Sequence, residues 1–578
     1  MRSIFKIFTI LTRKEQRYCI FIILCMLIGA FFEAVGIGAI LPLISIMSDP
    51  DFLDNHTIIR IYASTFNIQT HNNFIIFSAC FLILLYVLKN LYMTWLMKLQ
   101  IKFSMKRQIY YAGKLLEGYL NKPYLYHLDQ NTATLLRNVA GGAAVTFSGI
   151  LIPTFTLITE IITAIVIWIM LIFVDAFTAV IIAGILGIMM YGIIKAFHKK
   201  ITQQGEIQNE FSAIYAKWLN QGLGAIKETK VLRKESYFLH EFNQAYEEFG
   251  QANSDFMFLN QLPRLFIETL VTSGLLLLII TKLYLGVQPI DIVPLLGVLA
   301  LAAFRLMPCA NRIVNLSNSV NFQMPLFDIL YDELLEIKEN HKKNKKIEHI
   351  AENKIAFQQE IVIQELSFQY PQGKEEVLQN ISFQIAKGTF VGIVGQSGAG
   401  KTTFVDILLG LLEPSRGKIF VDGQDIFQNI RGWQANLSYV PQTIYLIDGT
   451  IRENIALGIT ENEIDDQKIE TVTRMAELYD FIEELPQKLS TKVGERGVKL
   501  SGGQRQRIGI ARALYYSPEV LILDEATSAL DNETEKSITD TILKLKGKIT
   551  IIAIAHRVST LENCDFKIKF EDGKVNIL

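Results

Sequence analysis

The chain has 578 residues, 50% of them hydrophobic and 20% charged, with a net charge of −1. One hydrophobic core does not sustain that length, so at least two domains are expected, and the balanced charge gives no whole-chain basis for binding nucleic acid. Five cysteines (Cys19, Cys25, Cys80, Cys309, Cys564) are odd in number, form no close metal-ligand pattern and lie mostly in apolar runs, which suits small buried hydrophobes.

The apolar character belongs to roughly the first three hundred residues; the last two hundred read as an ordinary soluble protein. Arg2, Lys6, Arg13, Lys14 and Arg17 precede an apolar stretch from Tyr18 to Met47. That stretch is too long for a signal-peptide core and lacks a small-residue cleavage site, so a retained first span is expected. Further runs lie at 73–96, 148–174, 176–197, 264–285 and 290–312. Each of the six can cross about 30 Å of hydrocarbon at about 1.5 Å per residue. Only Asp175 separates the third run from the fourth, which predicts a tight antiparallel hairpin.

Charge orients these runs. Segments 97–140 and 198–263 carry Lys98, Lys102, Lys106, Arg107, Lys199, Lys200, Lys227 and Lys230 among others, whereas 48–72 offers Arg60 alone against Asp49, Asp51 and Asp54. The positive-inside rule then places both termini and the two long segments in the cytoplasm. Both segments look helical on each flank, predicting membrane helices that continue into the cytoplasm and reverse near Tyr124–Asn131 and Gly222–Thr229. These tips are the expected contact surface for the soluble domain. Outside, residues 51–67 space Phe52, Ile58, Ile59, Tyr62 and Phe66 as an amphipathic interfacial helix would. Lys342, Lys343, Lys345 and Lys346 lie in a charged stretch that reads as a solvated linker. The expected organisation is a membrane domain over 1–325, a linker over 326–354 and a soluble domain over 355–578.

In the soluble half, a strand at 389–394 runs into Gly395-Gln396-Ser397-Gly398-Ala399-Gly400-Lys401-Thr402, with Thr403 entering a helix. The pattern G-x-x-x-x-G-K-[ST] between strand and helix is a phosphate-binding loop: backbone N–H groups wrap the phosphates, Lys401 reaches the β/γ-phosphates and Thr402 ligates Mg²⁺. Downstream, Val520-Leu-Ile-Leu-Asp524-Glu525 reads as a buried parallel strand ending in two carboxylates. Asp524 is expected to hold Mg²⁺, and Glu525 to orient and deprotonate the attacking water. ATP and Mg²⁺ are the implied cofactors.

Between these motifs, Leu500-Ser501-Gly502-Gly503-Gln504 resembles the signature of ATP-binding cassette (ABC) proteins. Other elements follow the family order: Tyr370, similar to the aromatic that stacks on adenine; Gln442 after Tyr439-Val-Pro; Val493-Gly-Glu-Arg-Gly497; Ser528-Ala-Leu-Asp531; and His556. The resemblance implies two cassettes paired head to tail, with each ATP held between one phosphate loop and Ser501, Gly503 and Gln504 of the other copy. It implies that His556 stabilises the γ-phosphate and that Gln442 links Mg²⁺ to movement of the membrane domain. A membrane domain ahead of one cassette resembles the exporter arrangement. The expected fold is therefore six transmembrane helices of ABC exporter type fused to a cytoplasmic α/β P-loop ATPase domain, acting as a homodimer.

Charged residues inside spans cost about 2.5–3.5 kcal/mol each on insertion scales, so Glu33, Lys89, Glu160, Arg264, Glu268, Arg305 and Arg312 each need a reason. Cations in a solvated cavity suit a phosphate or diphosphate group; buried ion pairs, such as Glu33 or Glu268 with an arginine, are the other reading. Phe32-Glu33-Ala, Pro263-Arg264-Leu-Phe-Ile-Glu268 and Phe304-Arg305-Leu-Met-Pro-Cys-Ala-Asn311-Arg312 resemble strings of the bacterial flippase for lipid-linked oligosaccharides of protein N-glycosylation, with Lys89 where the flippase carries arginine. That resemblance implies a polyprenyl-diphosphate-linked glycan read by Lys89, Arg264 and Arg305, flipped from the inner to the outer leaflet of a bacterial inner membrane. Export of peptides, drugs or other lipids is the alternative, and a membrane-anchored ATPase regulating a partner is a third.

Overall fold

The computed structural model describes residues 2–38, 71–174, 176–286, 289–347, 354–525, 532–554 and 563–578. The expected external helix over 51–67, Ser528–Asp531 and His556 lie outside the described residues, as does the side chain of Arg305. Two compact units form: Met1–Lys122 with Gln130–His341, and Pro123–Asp129 with Lys342–Leu578.

The first unit is helical. A short α1 (Arg2–Ile10) precedes α2 (Arg13–Gly38), α3 (His71–Leu120), α4 (Tyr124–Asp129, part of the second unit) and α5 (Thr132–Arg137). Two π-helical stretches, Asn138–Gly142 and Val145–Leu151, lead into α6 (Ile152–Val174). Then come α7 (Ala176–Gly224), α8 (Ile226–Val231), α9 (Glu235–Tyr284) and α10 (Pro289–Ile347). Pro289 opens α10 at the position where a missing N–H is harmless and a fixed φ helps.

Each apolar run of the sequence lies in one of these helices, apart from residues 39–47 outside the description. Among the described residues, Arg13–Glu33, Ile75–Leu120, Thr132–Phe173 and Glu235–Tyr284 are long and apolar enough to cross a membrane. Helices α3, α7, α9 and α10 hold 50, 49, 50 and 59 residues. At about 1.5 Å per residue, that is more than twice the thickness of a bilayer's hydrocarbon. The reversals fall at α4 and α8, beside the expected tips.

The second unit has an antiparallel sheet of β1 (Glu360–Phe368), β2 (Leu378–Ala386), β4 (Arg416–Val421) and β5 (Gln424–Asp425), in the order β2-β1-β4-β5. A six-stranded sheet, β10-β9-β3-β8-β7-β6, is built from β3 (Phe390–Gly395), β6 (Leu437–Val440), β7 (Val520–Asp524), β8 (Thr550–Ile554), β9 (Phe566–Glu571) and β10 (Lys574–Ile577). All its pairs are parallel except β9 with β10. The period of two splits β7 between two cores, Val520 and Ile522 facing one and Leu521 and Leu523 the other. Burial on both faces is why this strand reads as a continuous apolar run.

Candidate nucleotide site

The carboxyl ends of β3, β7 and β6 deliver the phosphate loop, Asp524 with Glu525, and Gln442 to the same edge of the sheet. Open α/β sheets bind ligands at that edge because the loops diverge there. After β3 the loop turns into α11 (Lys401–Leu408), with Gly395, Gly398 and Gly400 at φ of 151°, 82° and 95°. A Cβ at Gly395 would lie 2.4 Å from the Phe570 carbonyl, and one at Gly400 would lie 2.8 Å from Leu378. At Gly395 and Gly400 a side chain is therefore excluded by contact as well as by backbone conformation, and at Gly398 by backbone conformation alone. Lys401 is buried, and its Nζ donates to the carbonyls of Gly395 (2.7 Å) and Gln396 (2.8 Å), which fixes the ammonium within the turn of the loop. Thr402 is exposed beside it, and Ser397 lies within the loop.

Tyr370 packs edge-on against Phe368, and its hydroxyl lies 3.2 Å from that of Thr403, so the aromatic ring stands at the phosphate-loop helix. Asp524 is buried and accepts a hydrogen bond from the Tyr439 hydroxyl at 3.1 Å. Glu525 adopts a left-handed φ of 49°, its N–H donates to the Ile554 carbonyl, and its Oε2 accepts from Gln442 Nε2 at 2.7 Å. The expected water-activating carboxylate and the expected coupling glutamine are thus direct partners.

The residues suit a divalent cation. A hard ion takes oxygen ligands, and Thr402, Gln442 and Asp524 supply a hydroxyl, an amide carbonyl and a carboxylate. Burial, reinforced by the charge of Asp524, pushes the Asp406 carboxyl on α11 up to about 6. Two acids crowded in one pocket are what a cation would relieve.

Ser501 and Gln504 begin α12 (Gly502–Tyr515) with a reciprocal cap: Ser501 Oγ accepts from the Gln504 N–H (3.2 Å), and Gln504 Oε1 accepts from the Ser501 N–H (2.8 Å). The Ser501 hydroxyl proton is not used by this cap, and Gly502 and Gly503 place N–H groups at the positive end of the helix, a setting for an anion.

Sequence reading missed three features. The Tyr439 bond follows from parallel pairing of β6 with β7, which sets Tyr439 opposite Ile522. Arg512 on α12 donates to the carbonyls of Tyr445 (3.0 Å) and Asn454 (2.7 Å), stapling the segment after Gln442 to the signature helix. In α4, Leu125 packs on the core that holds Tyr370 and Tyr439. A basic residue in an amphipathic helix and a leucine near a helix tip carry no such signal locally.

In the membrane unit, the ionisable residues of the spans divide. Lys89 is buried 2.7 Å from Glu33, with its Nζ 4.9 Å from the Tyr86 ring, and Arg312 lies 3.0 Å from Glu160. Arg264 and Glu268 are exposed on α9, with no ion pair to Arg264 among the described residues. Of the pairings weighed from sequence, Arg264 and Glu268 do not meet among the described residues, and the side chain of Arg305 lies outside them.

A helical unit of long apolar helices joined to a two-sheet P-loop unit with a capped signature helix defines the chain's class: it has the fold of an ABC exporter. Residues 378–528 match the family described as ABC transporter. The solved structure of a bacterial Atm1-family ABC exporter with ATP bound superposes with a TM-score of 0.77 over 97% of this chain and 94% of that one, at 22% identity. The ATP-dependent lipid A-core flippase of Alkalilimnicola ehrlichii is 42% identical over 211 residues, 36% of each protein. The ABC multidrug transporter mdr1 of Aspergillus fumigatus is 41% identical over 218 residues, 37% of this chain and 16% of that protein. The chain spans 16–36% of the length of such curated relatives.

Proposed function

We propose that the chain is one subunit of an ATP-driven exporter in which two identical copies, each with six spans, pair to complete two ATP sites. The observation that carries this reading is the convergence of the phosphate loop, Asp524, Glu525 and Gln442 at one sheet edge, in a chain whose other unit is built of membrane-length helices. In this reading Gly395, Ser397, Gly398, Gly400, Lys401 and Thr403 bind the phosphates of ATP and Tyr370 the adenine. Ser501, Gly503 and Gln504 close on the nucleotide of the opposite copy, and His556 steadies the γ-phosphate. Thr402, Gln442 and Asp524 would hold Mg²⁺, which neutralises charge developing on the phosphates. Glu525 accepts the proton of the attacking water. The Gln442–Glu525 bond must open for both roles, which ties hydrolysis to movement of the Gln442 segment.

The cargo that best fits is a polyprenyl-diphosphate-linked oligosaccharide, flipped from the inner to the outer leaflet of a bacterial cell membrane. Arg264, Arg305 and Lys89 are its candidate diphosphate contacts. Arg264 is exposed, while Lys89 is matched by Glu33 and becomes available only when that pair opens. The test is ATP-dependent translocation of such a lipid by the reconstituted protein. Neutralising Arg264, Arg305 and Lys89 together should abolish translocation, and an unchanged rate would refute the diphosphate role. Export of apolar drugs or other lipids is the second reading, favoured by a groove of about 630 Å³ between α7 and α9 lined by Met189, Ile193, Phe197, Phe266 and Leu270. It predicts ATPase stimulation by hydrophobic compounds, whatever their charge.

A further inference from the structure

Asp524 is 8% exposed, and a buried carboxylate is held in one orientation only if its lone pairs are satisfied. Tyr439 supplies one such bond, from its hydroxyl to Oδ2 at 3.1 Å. The phenol is half-buried on β6, and in this bond its O–H donates while the carboxylate accepts. Parallel pairing of β6 with β7 sets Tyr439 opposite Ile522, two residues before Asp524, so the strand register itself brings the phenol to that carboxylate. Tyr439 also lies on the strand that ends two residues before Gln442, so the donor to Asp524 and the amide on Glu525 belong to one short segment.

We infer that Tyr439 is a positioning residue for the metal site: its hydroxyl fixes the orientation of Asp524, so that the other carboxylate oxygen is presented to the cation. The inference rests on the reading of Asp524 as a Mg²⁺ ligand. Partners that orient a metal-binding carboxylate typically change metal affinity by about 10–100-fold when removed.

The experiment uses the full-length protein in lipid nanodiscs, with Glu525→Gln in all samples so that nucleotide binding is read without turnover. ATP affinity is titrated against Mg²⁺, with EDTA as the zero point, and Mn²⁺ binding is followed by electron paramagnetic resonance. Tyr439→Phe should raise the Mg²⁺ concentration giving half of the metal-dependent gain in ATP affinity by about tenfold and weaken Mn²⁺ to match. ATP affinity in EDTA should be unchanged, because the hydrogen bond lost is the one to Asp524 and not one to the phosphate loop. The ring keeps its packing, so the melting temperature checks folding. Asp524→Asn should remove the metal response altogether. If it does so while Tyr439→Phe shifts the midpoint less than twofold, the positioning role is wrong and the metal site stands. If Asp524→Asn keeps the metal response, the metal-site reading falls and the inference with it.

Discussion

Both units bring ionisable groups together, but the neighbours differ in sign. In the membrane unit buried Lys89 meets buried Glu33, and buried Glu160 meets Arg312, whose side chain is exposed, so neighbours of opposite charge offset one another. In the P-loop unit Asp406 and Asp524 are alike, and Lys401 is satisfied by backbone carbonyls, not by an acid. A matched pair holds helices together and leaves little field for a ligand. Two acids side by side set up a field that a ligand of opposite sign relieves, which is a physical mark of a binding site.

The largest effect is expected beside the like-charged pair of the P-loop unit. Glu525→Gln should lower kcat for ATP hydrolysis on the order of 10²–10⁴-fold, measured by phosphate release, while leaving ATP bound. Retained turnover would move the proton-accepting role elsewhere. Next, Lys89→Ala removes the ammonium 2.7 Å from buried Glu33 and should destabilise the membrane unit by up to about 3–5 kcal/mol, seen as lost yield and a lower melting temperature. Glu33→Gln with Lys89→Gln should recover part of that stability, because both charges of the pair are removed together. If the double variant recovers stability and still fails to translocate a diphosphate lipid, Lys89 is a cargo contact as well.

A smaller effect is expected at Asp406. Its carboxyl titrates near 6, above the ordinary value of 3.8. The stabilisation from its neutral form is complete below about 4 and is lost as pH rises through 6, so in EDTA the chain should lose stability over that window. Asp406→Asn should flatten the loss and raise stability at pH 7.5 by about 1 kcal/mol, the half-exposed position and solvent screening cutting down the larger figure that the shift alone implies. A melting temperature measured from pH 4 to pH 8 decides it. Smallest is the cap of the signature helix: Gln504→Ala removes one half of the reciprocal pair with Ser501 and should cost under about 1 kcal/mol.

Much of this was legible in the chain itself. The phosphate loop, the strand ending in Asp524-Glu525 and the Ser501 signature are local, because a tight turn, a buried strand and a capped helix each need particular residues at adjacent positions. Membrane-length apolar runs and the reversals near residues 124 and 226 are local for the same reason, since helix rise and bilayer thickness leave few choices.

What the sequence could not decide is which distant groups meet. Lys89 could have faced a cargo or an acid, and only the packing of α2 on α3 joined it to Glu33 across 56 residues. Tyr439 carries no local sign of its role; the β6–β7 register sets its hydroxyl on Asp524, 85 residues away. The assignment of Pro123–Asp129 to the second unit, with Leu125 on that unit's core, is equally invisible to periodicity. Composition and period determine which elements form, because those depend on neighbours along the chain. Charge matching and the orientation of a buried carboxylate depend on neighbours in space, and those the tertiary structure alone supplies.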